Sequence, residues 1–131
     1  MTWNALPPAL RRRHTVLLVE DELPVRMVLS RTLEEAGYRV VTASNGQEAL
    51  RLAEQQVGFD AVITDLAMPR MSGQELAARL AQRTPTLPML FISGFGASAD
   101  RAELPGPLLL KPFDNEWLLD QLSRMLDAGA H

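Results

Sequence analysis

The chain has 131 residues, 47% of them hydrophobic and 22% charged, which suits one domain with its own core and argues against intrinsic disorder. A net charge of −3 lacks the basic surplus of a nucleic-acid binder. There is no cysteine, which excludes disulfides, thiol nucleophiles and thiolate metal sites.

Residues 1–13 read as a lead-in or linker, because Pro7-Pro8 breaks regular structure and Arg11-Arg12-Arg13 is a solvated charge run. Residues 14–128 read as the folded domain. His14 to Val19 is a continuous apolar strand that ends in Glu20-Asp21-Glu22. Pro24 fits the first turn of a helix, and Val25, Val28, Leu29, Leu33 and Ala36 keep helical spacing on one face before Gly37 closes it. Tyr38 to Ala43 is a second strand. Asn45-Gly46-Gln47-Glu48 has the form of a capping box and opens a helix through Ala49, Leu50, Leu52 and Ala53.

Asp60 to Thr64 is a third strand, running into Asp65 and then Pro69. Ser72-Gly73-Gln74-Glu75 is a second capping box, whose helix carries Leu76, Ala77 and Leu80 to about Gln82. Leu87 to Ile92 is a fourth strand that ends in Ser93-Gly94. A weak helical stretch over residues 97–103 leads to Pro105-Gly106-Pro107, and Leu108-Leu109-Leu110 forms a short fifth strand before Lys111-Pro112. Asp114 caps a last helix with Trp117, Leu118, Gln121, Leu122, Met125 and Leu126 at a period of 3.6. The longest charge-free run, residues 84–99, holds two prolines and two glycines. It is too short and too broken to cross a bilayer. With no signal-peptide pattern at the N-terminus, a cytoplasmic domain without membrane insertion or direct nucleic-acid contact is expected.

Five β–α units in alternation predict an α/β fold with a parallel sheet and helices on both faces. The doubly wound, flavodoxin-like strand order 2-1-3-4-5 is adopted among the possibilities, with five helices of which the fourth is short or irregular. Its switch point lies between strands 1 and 3, the strands that end in Glu20-Asp21 and Asp65. Each residue alone has a plain structural reading: Asp65 and Ser93 as local caps, Lys111 as a surface charge. Together at one sheet edge they form a phosphoryl-transfer set. Three carboxylates repel one another unless a cation such as Mg²⁺ neutralises them. A carboxylate can act as nucleophile while metal and ammonium balance charge on the phosphoryl oxygens. Of the 13 basic residues, Lys111 is the single lysine.

On these residues the chain resembles the receiver domains of two-component signalling, over almost its whole length. Val19-Glu20-Asp21-Glu22 resembles the family's acidic pair, implying Asp21 as a direct Mg²⁺ ligand and Glu20 as one acting through water. Asp65, followed by Met68-Pro69 and Gly73, matches the phospho-acceptor, with the backbone carbonyl of Ala67 implied as a further metal ligand. Ser93-Gly94 matches the switch hydroxyl, and Lys111-Pro112-Phe113 the lysine followed by a cis-proline. Phe91-Ile92-Ser93-Gly94-Phe95 is most similar to receivers attached to hybrid sensor kinases. The resemblance implies a phosphoryl group passed from a histidine kinase or histidine phosphotransfer domain onto Asp65, and slow self-dephosphorylation. A single-domain regulator is the other setting it implies.

Two departures stand out. Leu108 replaces the aromatic switch residue three positions before the lysine, and the segment between Ser93 and Lys111 is short. Both fall on the face through which many receivers signal, so the chain is expected to stay monomeric. Three rival readings differ from this one at identifiable residues or in one measurement. A phosphatase with an Asp nucleophile would place a second Asp where Ala67 stands. A flavodoxin-like cofactor binder needs a Ser/Thr/Gly-rich phosphate loop where Glu20-Asp21-Glu22 stands. A phosphate-independent receiver-like interaction module is separated from a phosphorylated one by labelling with a small phosphodonor.

Overall fold

Short apolar runs pair as parallel strands in the computed structural model, which describes residues 13–55, 58–94 and 104–128. The strands are β1 (Thr15–Val19), β2 (Arg39–Ala43), β3 (Ala61–Asp65), β4 (Met89–Ser93) and β5 (Leu108–Leu110). They form one sheet in the order β2-β1-β3-β4-β5, as expected. The described helices are α1 (Leu23–Glu35), α2 (Gly46–Gln55), α3 (Gly73–Arg83) and α4 (Asn115–Ala128). The weak helical stretch expected at 97–103, and most of the lead-in at 1–13, lie outside the described residues.

Period-two alternation divides the core between the two faces of the sheet. Leu17, Val19, Val62, Met89 and Phe91 meet Ala49 of α2 and Leu76, Ala77 and Leu80 of α3. Val16, Leu18, Ala61, Ile63, Leu90 and Ile92 meet Leu29 and Leu33 of α1 and Leu118, Leu122 and Leu126 of α4. With both faces covered, β3 and β4 are buried along their whole length, which is why they read as apolar runs up to the polar residues at their ends.

The helix ends follow their cap chemistry. Ser72 accepts the Glu75 N–H at 3.1 Å, and Asp114 accepts the Glu116 N–H at 2.9 Å. Asn45 accepts the Glu48 N–H at 2.8 Å, but the Glu48 carboxylate returns to the backbone N–H and hydroxyl of Ser44, one residue further out than in a regular box. At the end of α1, Gly37 takes φ +100°. Its N–H donates to the Glu34 carbonyl and that of Tyr38 to the Leu33 carbonyl, the paired bonds of a Schellman cap. Tyr38 is therefore held by the helix, and β2 begins at Arg39 rather than at Tyr38 as expected.

Three residues assigned to apolar faces lie elsewhere. Val28 is 61% and Trp117 64% exposed. Each sits about 100° round its helix from the buried residue next to it, Leu29 or Leu118. The sheet covers only the narrower stripes Leu29–Leu33 and Leu118–Leu122–Leu126. Ala36 is already the C-cap of α1 and is exposed.

The register sets the functional edge. Val19 pairs with Thr64, Asp65 with Ile92, and Ser93 with Leu110. The carboxyl ends of β1, β3, β4 and β5 therefore finish side by side. No described helix is long and apolar enough to cross a membrane.

Candidate functional site

The strand ends deliver Glu20, Asp21, Asp65, Ser93 and Lys111 to one edge of the sheet. Glu20 follows β1 and is only 1% exposed, and Asp65, the last residue of β3, is 6% exposed. One carboxylate oxygen from each of Glu20, Asp21 and Asp65 lies within 4.8 Å of the others. Lys111 follows the edge strand β5 and reaches across β4, placing Nζ 3.4 Å from Asp65 Oδ2 and 3.7 Å from Glu20 Oε2. Its own N–H donates to the Ser93 carbonyl at 2.8 Å, extending the pairing of β4 and β5 by one bond. The Lys111–Pro112 peptide bond is cis, as the resemblance implies.

The loop after β3 holds the central acid. The Ala67 N–H donates to Asp65 Oδ1 at 3.1 Å. The Leu66 N–H donates to the Ile92 carbonyl at 2.8 Å, and the Gly73 N–H to the Leu66 carbonyl at 2.9 Å. The start of α3 comes so close that a Cβ on Gly73 would collide with the Asp65 carbonyl oxygen, so only glycine fits there. Between these contacts Arg70 adopts φ +70°, spanned by a bond from the Met71 N–H to the Pro69 carbonyl at 2.8 Å. Such a tight three-residue turn is costly for a residue with a side chain, and here the packed loop enforces it.

The electrostatics are those of a crowded acidic pocket. The Glu20 carboxyl is pushed up to about 7, first by burial and then by the charge of Asp65, while the Glu22 N–H and Lys111 hold it down. Burial alone would lower the Lys111 ammonium, but Asp65 and Glu20 outweigh it and raise it above its ordinary value. Lys111 is therefore charged at neutral pH. Glu20 Oε1 accepts the Glu22 N–H at 3.2 Å. Glu20 Oε2 is buried and among the described residues has no hydrogen-bond partner, only the Lys111 ammonium 3.7 Å away, and a buried oxygen without a hydrogen bond is costly. Three oxygen donors of one sign and an unsatisfied buried oxygen are the donor set of a hard divalent cation such as Mg²⁺.

Ser93 is fully buried at the end of β4, and its hydroxyl donates to the Gly94 carbonyl at 3.4 Å rather than to Asp65. Contacts at this edge extend beyond the residues singled out from sequence. The Thr64 hydroxyl donates to the Asp65 carbonyl at 3.0 Å. Arg26, in α1, gives Nη1 to the Glu20 carbonyl at 2.7 Å. Arg26 had one sequence signal, since a cation near a helix N-terminus opposes the helix dipole. Thr64 had none, because a threonine suits any strand.

The response regulator receiver domain family matches residues 16–123 of this chain. The receiver protein CpdR of Brucella abortus is 37% identical over 118 residues, covering 87% of this chain and 98% of CpdR. The sensor kinase CckA of the same organism is 39% identical over 118 residues, but the matched region spans only 12% of that longer protein. A solved receiver protein from Sinorhizobium medicae superposes with a TM-score of 0.82 at 29% identity, covering 89% of this chain and 97% of that one. With the strand order, the acidic edge and the lysine already in place, the chain belongs to the receiver domains of two-component response regulators.

Proposed function

We propose that this receiver takes a phosphoryl group from a phosphohistidine onto Asp65 in a Mg²⁺-dependent reaction and releases it slowly to water. The supporting observation is the setting of Asp65: a buried carboxylate, one oxygen on the Ala67 N–H and the other 3.4 Å from Lys111, beside Glu20 and Asp21. A carboxylate oxygen attacks phosphorus, the P–N bond breaks, and the imidazole leaves with the electron pair, giving an acyl phosphate on Asp65. Lys111, held charged by its two acidic neighbours, balances negative charge on the transferred group. The β4–β5 pairing anchors its backbone, and Asp65 and Glu20 draw the ammonium over the site.

Asp21 and Asp65 are the proposed direct ligands of Mg²⁺, joined by the Ala67 backbone carbonyl, with Glu20 acting through water. When bound, the ion supplies positive charge to the phosphoryl oxygens. Ser93 turns its hydroxyl from Gly94 toward the phosphoryl group once it is in place. Slow hydrolysis follows from Ala67, whose methyl group offers nothing to activate an attacking water. The partner is a histidine kinase or a histidine phosphotransfer domain, met in the cytoplasm by a monomer. The setting is the receiver of a hybrid sensor kinase or a single-domain regulator.

Incubation with acetyl phosphate and Mg²⁺ tests the reading. One phosphoryl group per chain is expected on the wild type, and none on Asp65→Asn or in excess EDTA. Equal incorporation into Asp65→Asn would overturn the assignment.

A further inference from the structure

We propose that Arg26 is a positioning residue for the acidic pair, setting the peptide between Glu20 and Asp21 so that both carboxylates face the cation site. The inference rests on the Mg²⁺ reading above and extends it to a residue outside the ligand set.

At the end of β1 the chain leaves the sheet within a few residues and enters α1. The Glu20 N–H still pairs with the Ala43 carbonyl of β2 at 3.0 Å. The Glu20 carbonyl, one atom group later, takes the guanidinium of Arg26 instead, at 2.7 Å and partly buried. The Arg26 N–H makes the first i to i−4 bond of α1, to the carbonyl of the N-cap Glu22 at 2.9 Å, as any residue but proline would there. The side-chain bond to the Glu20 carbonyl is therefore what sets Arg26 apart.

The choice of partner is informative. Arg31, Arg79, Arg83 and Arg124 each face a helix carboxylate. Arg26 follows three consecutive acids, yet among the described residues it makes no ion pair with them and donates to a carbonyl. It also lies within the first turns of α1, where the helix dipole disfavours a cation. A short charge-assisted bond to one carbonyl offsets that placement. The carbonyl belongs to the peptide plane that joins Glu20 to Asp21. Fixing that plane constrains the directions in which the Glu20 and Asp21 side chains leave the backbone toward the cation site. Glu20 Oε1 is already bound to the Glu22 N–H, and the Arg26 bond adds a second constraint on the acidic pair.

The sign of one measurement separates positioning from simple charge. A cation beside the site repels Mg²⁺, so if Arg26 acted by charge alone, Arg26→Ala would bind Mg²⁺ more tightly. Positioning predicts the opposite. Residues that orient metal ligands typically carry 10- to 100-fold in affinity, and about tenfold weaker binding is expected here. Arg26→Gln keeps a donor without the charge and is expected to recover at least half of the loss on a logarithmic scale.

Mg²⁺ binding is measured by titration calorimetry on the wild type, Arg26→Ala and Arg26→Gln, with urea unfolding of each metal-free protein alongside. Weaker binding in Arg26→Ala with recovery in Arg26→Gln supports the proposal. Unchanged or tighter binding in a folded Arg26→Ala overturns it, whatever happens to stability. If Arg26→Ala does not fold, Arg26→Gln decides: affinity equal to wild type or up to about threefold weaker supports positioning by the donor, and tighter or still weaker binding contradicts it. A wild type that binds no Mg²⁺ would overturn the metal reading, and this inference with it.

Discussion

Replacing Glu20 by Gln is expected to stabilise the metal-free protein at high pH and to leave its stability unchanged in acid. Burial pushes the Glu20 carboxyl from 4.5 up to about 7 in the folded chain. Between those values the folded chain holds a proton that the unfolded chain has released, so stability falls as pH rises through the window. Below about pH 4 Glu20 is protonated in both states and costs nothing. Above about pH 8 it is ionised in both, and the full penalty, on the order of 3 kcal/mol, is present. Gln carries no charge to desolvate, keeps an acceptor for the Glu22 N–H, and leaves Lys111 paired with Asp65. The variant should be about 2–3 kcal/mol more stable than wild type near pH 8, a rise of roughly 6–10 °C in Tm. Urea unfolding in EDTA, followed by circular dichroism across the pH range, gives the difference directly, and carboxylates common to both proteins cancel. Saturating Mg²⁺ should narrow or reverse the gap, because a cation relieves the wild-type penalty. A difference that does not vary with pH, or a less stable Gln variant near pH 8, would refute the reasoning.

Lys111→Arg should fail to restore phosphorylation-dependent signalling despite keeping the charge, because a planar fork does not fill the place of a compact ammonium between Asp65 and Glu20. Wild-type signalling by this variant, read in a phosphotransfer-coupled assay, would make Lys111 a mere surface cation. Leu33→Ala, at a fully buried position of α1, should cost about 2–5 kcal/mol in urea unfolding. Val28→Ala, on the exposed side of the same helix, should cost under about 0.5 kcal/mol; equal costs would contradict the packing described. Leu108 has neither ring nor polar tip to stabilise one switch state over another. The protein activated by beryllofluoride should therefore sediment as a monomer at tens of micromolar (a rough range for weak association), and clear dimerisation would contradict that.

The residues at the sheet edge were legible because strands 1, 3 and 5 run into chemically distinct groups, whereas the order 2-1-3-4-5 was a choice among doubly wound sheets that the structure bears out. Val19 gives way to Glu20-Asp21, Thr64 to Asp65, and Leu110 to Lys111, and parallel register then brings those ends together. Helix faces were less legible. Periodicity shows that Val28 and Trp117 lie near an apolar stripe but not how wide a stripe the sheet covers. The Ser44 contact with Glu48 and the Arg26 contact with the Glu20 carbonyl depend on how the chain turns after β1 and β2. Local spacing does not encode such turns. The same holds for Ser93, whose place at the end of β4 follows from the sequence, whereas the direction of its hydroxyl, toward Gly94, is set by the backbone around it.

The measurement that bears most directly on Asp65 is chemical trapping of the modified residue. An acyl phosphate is reduced by borohydride to the alcohol, turning aspartate into homoserine, and peptide mass spectrometry locates the change. After incubation with a small phosphodonor and Mg²⁺, homoserine should be found at position 65 alone and should disappear when EDTA is present. Homoserine at position 21, reduction of Glu20, or no trapped residue at all would contradict the account.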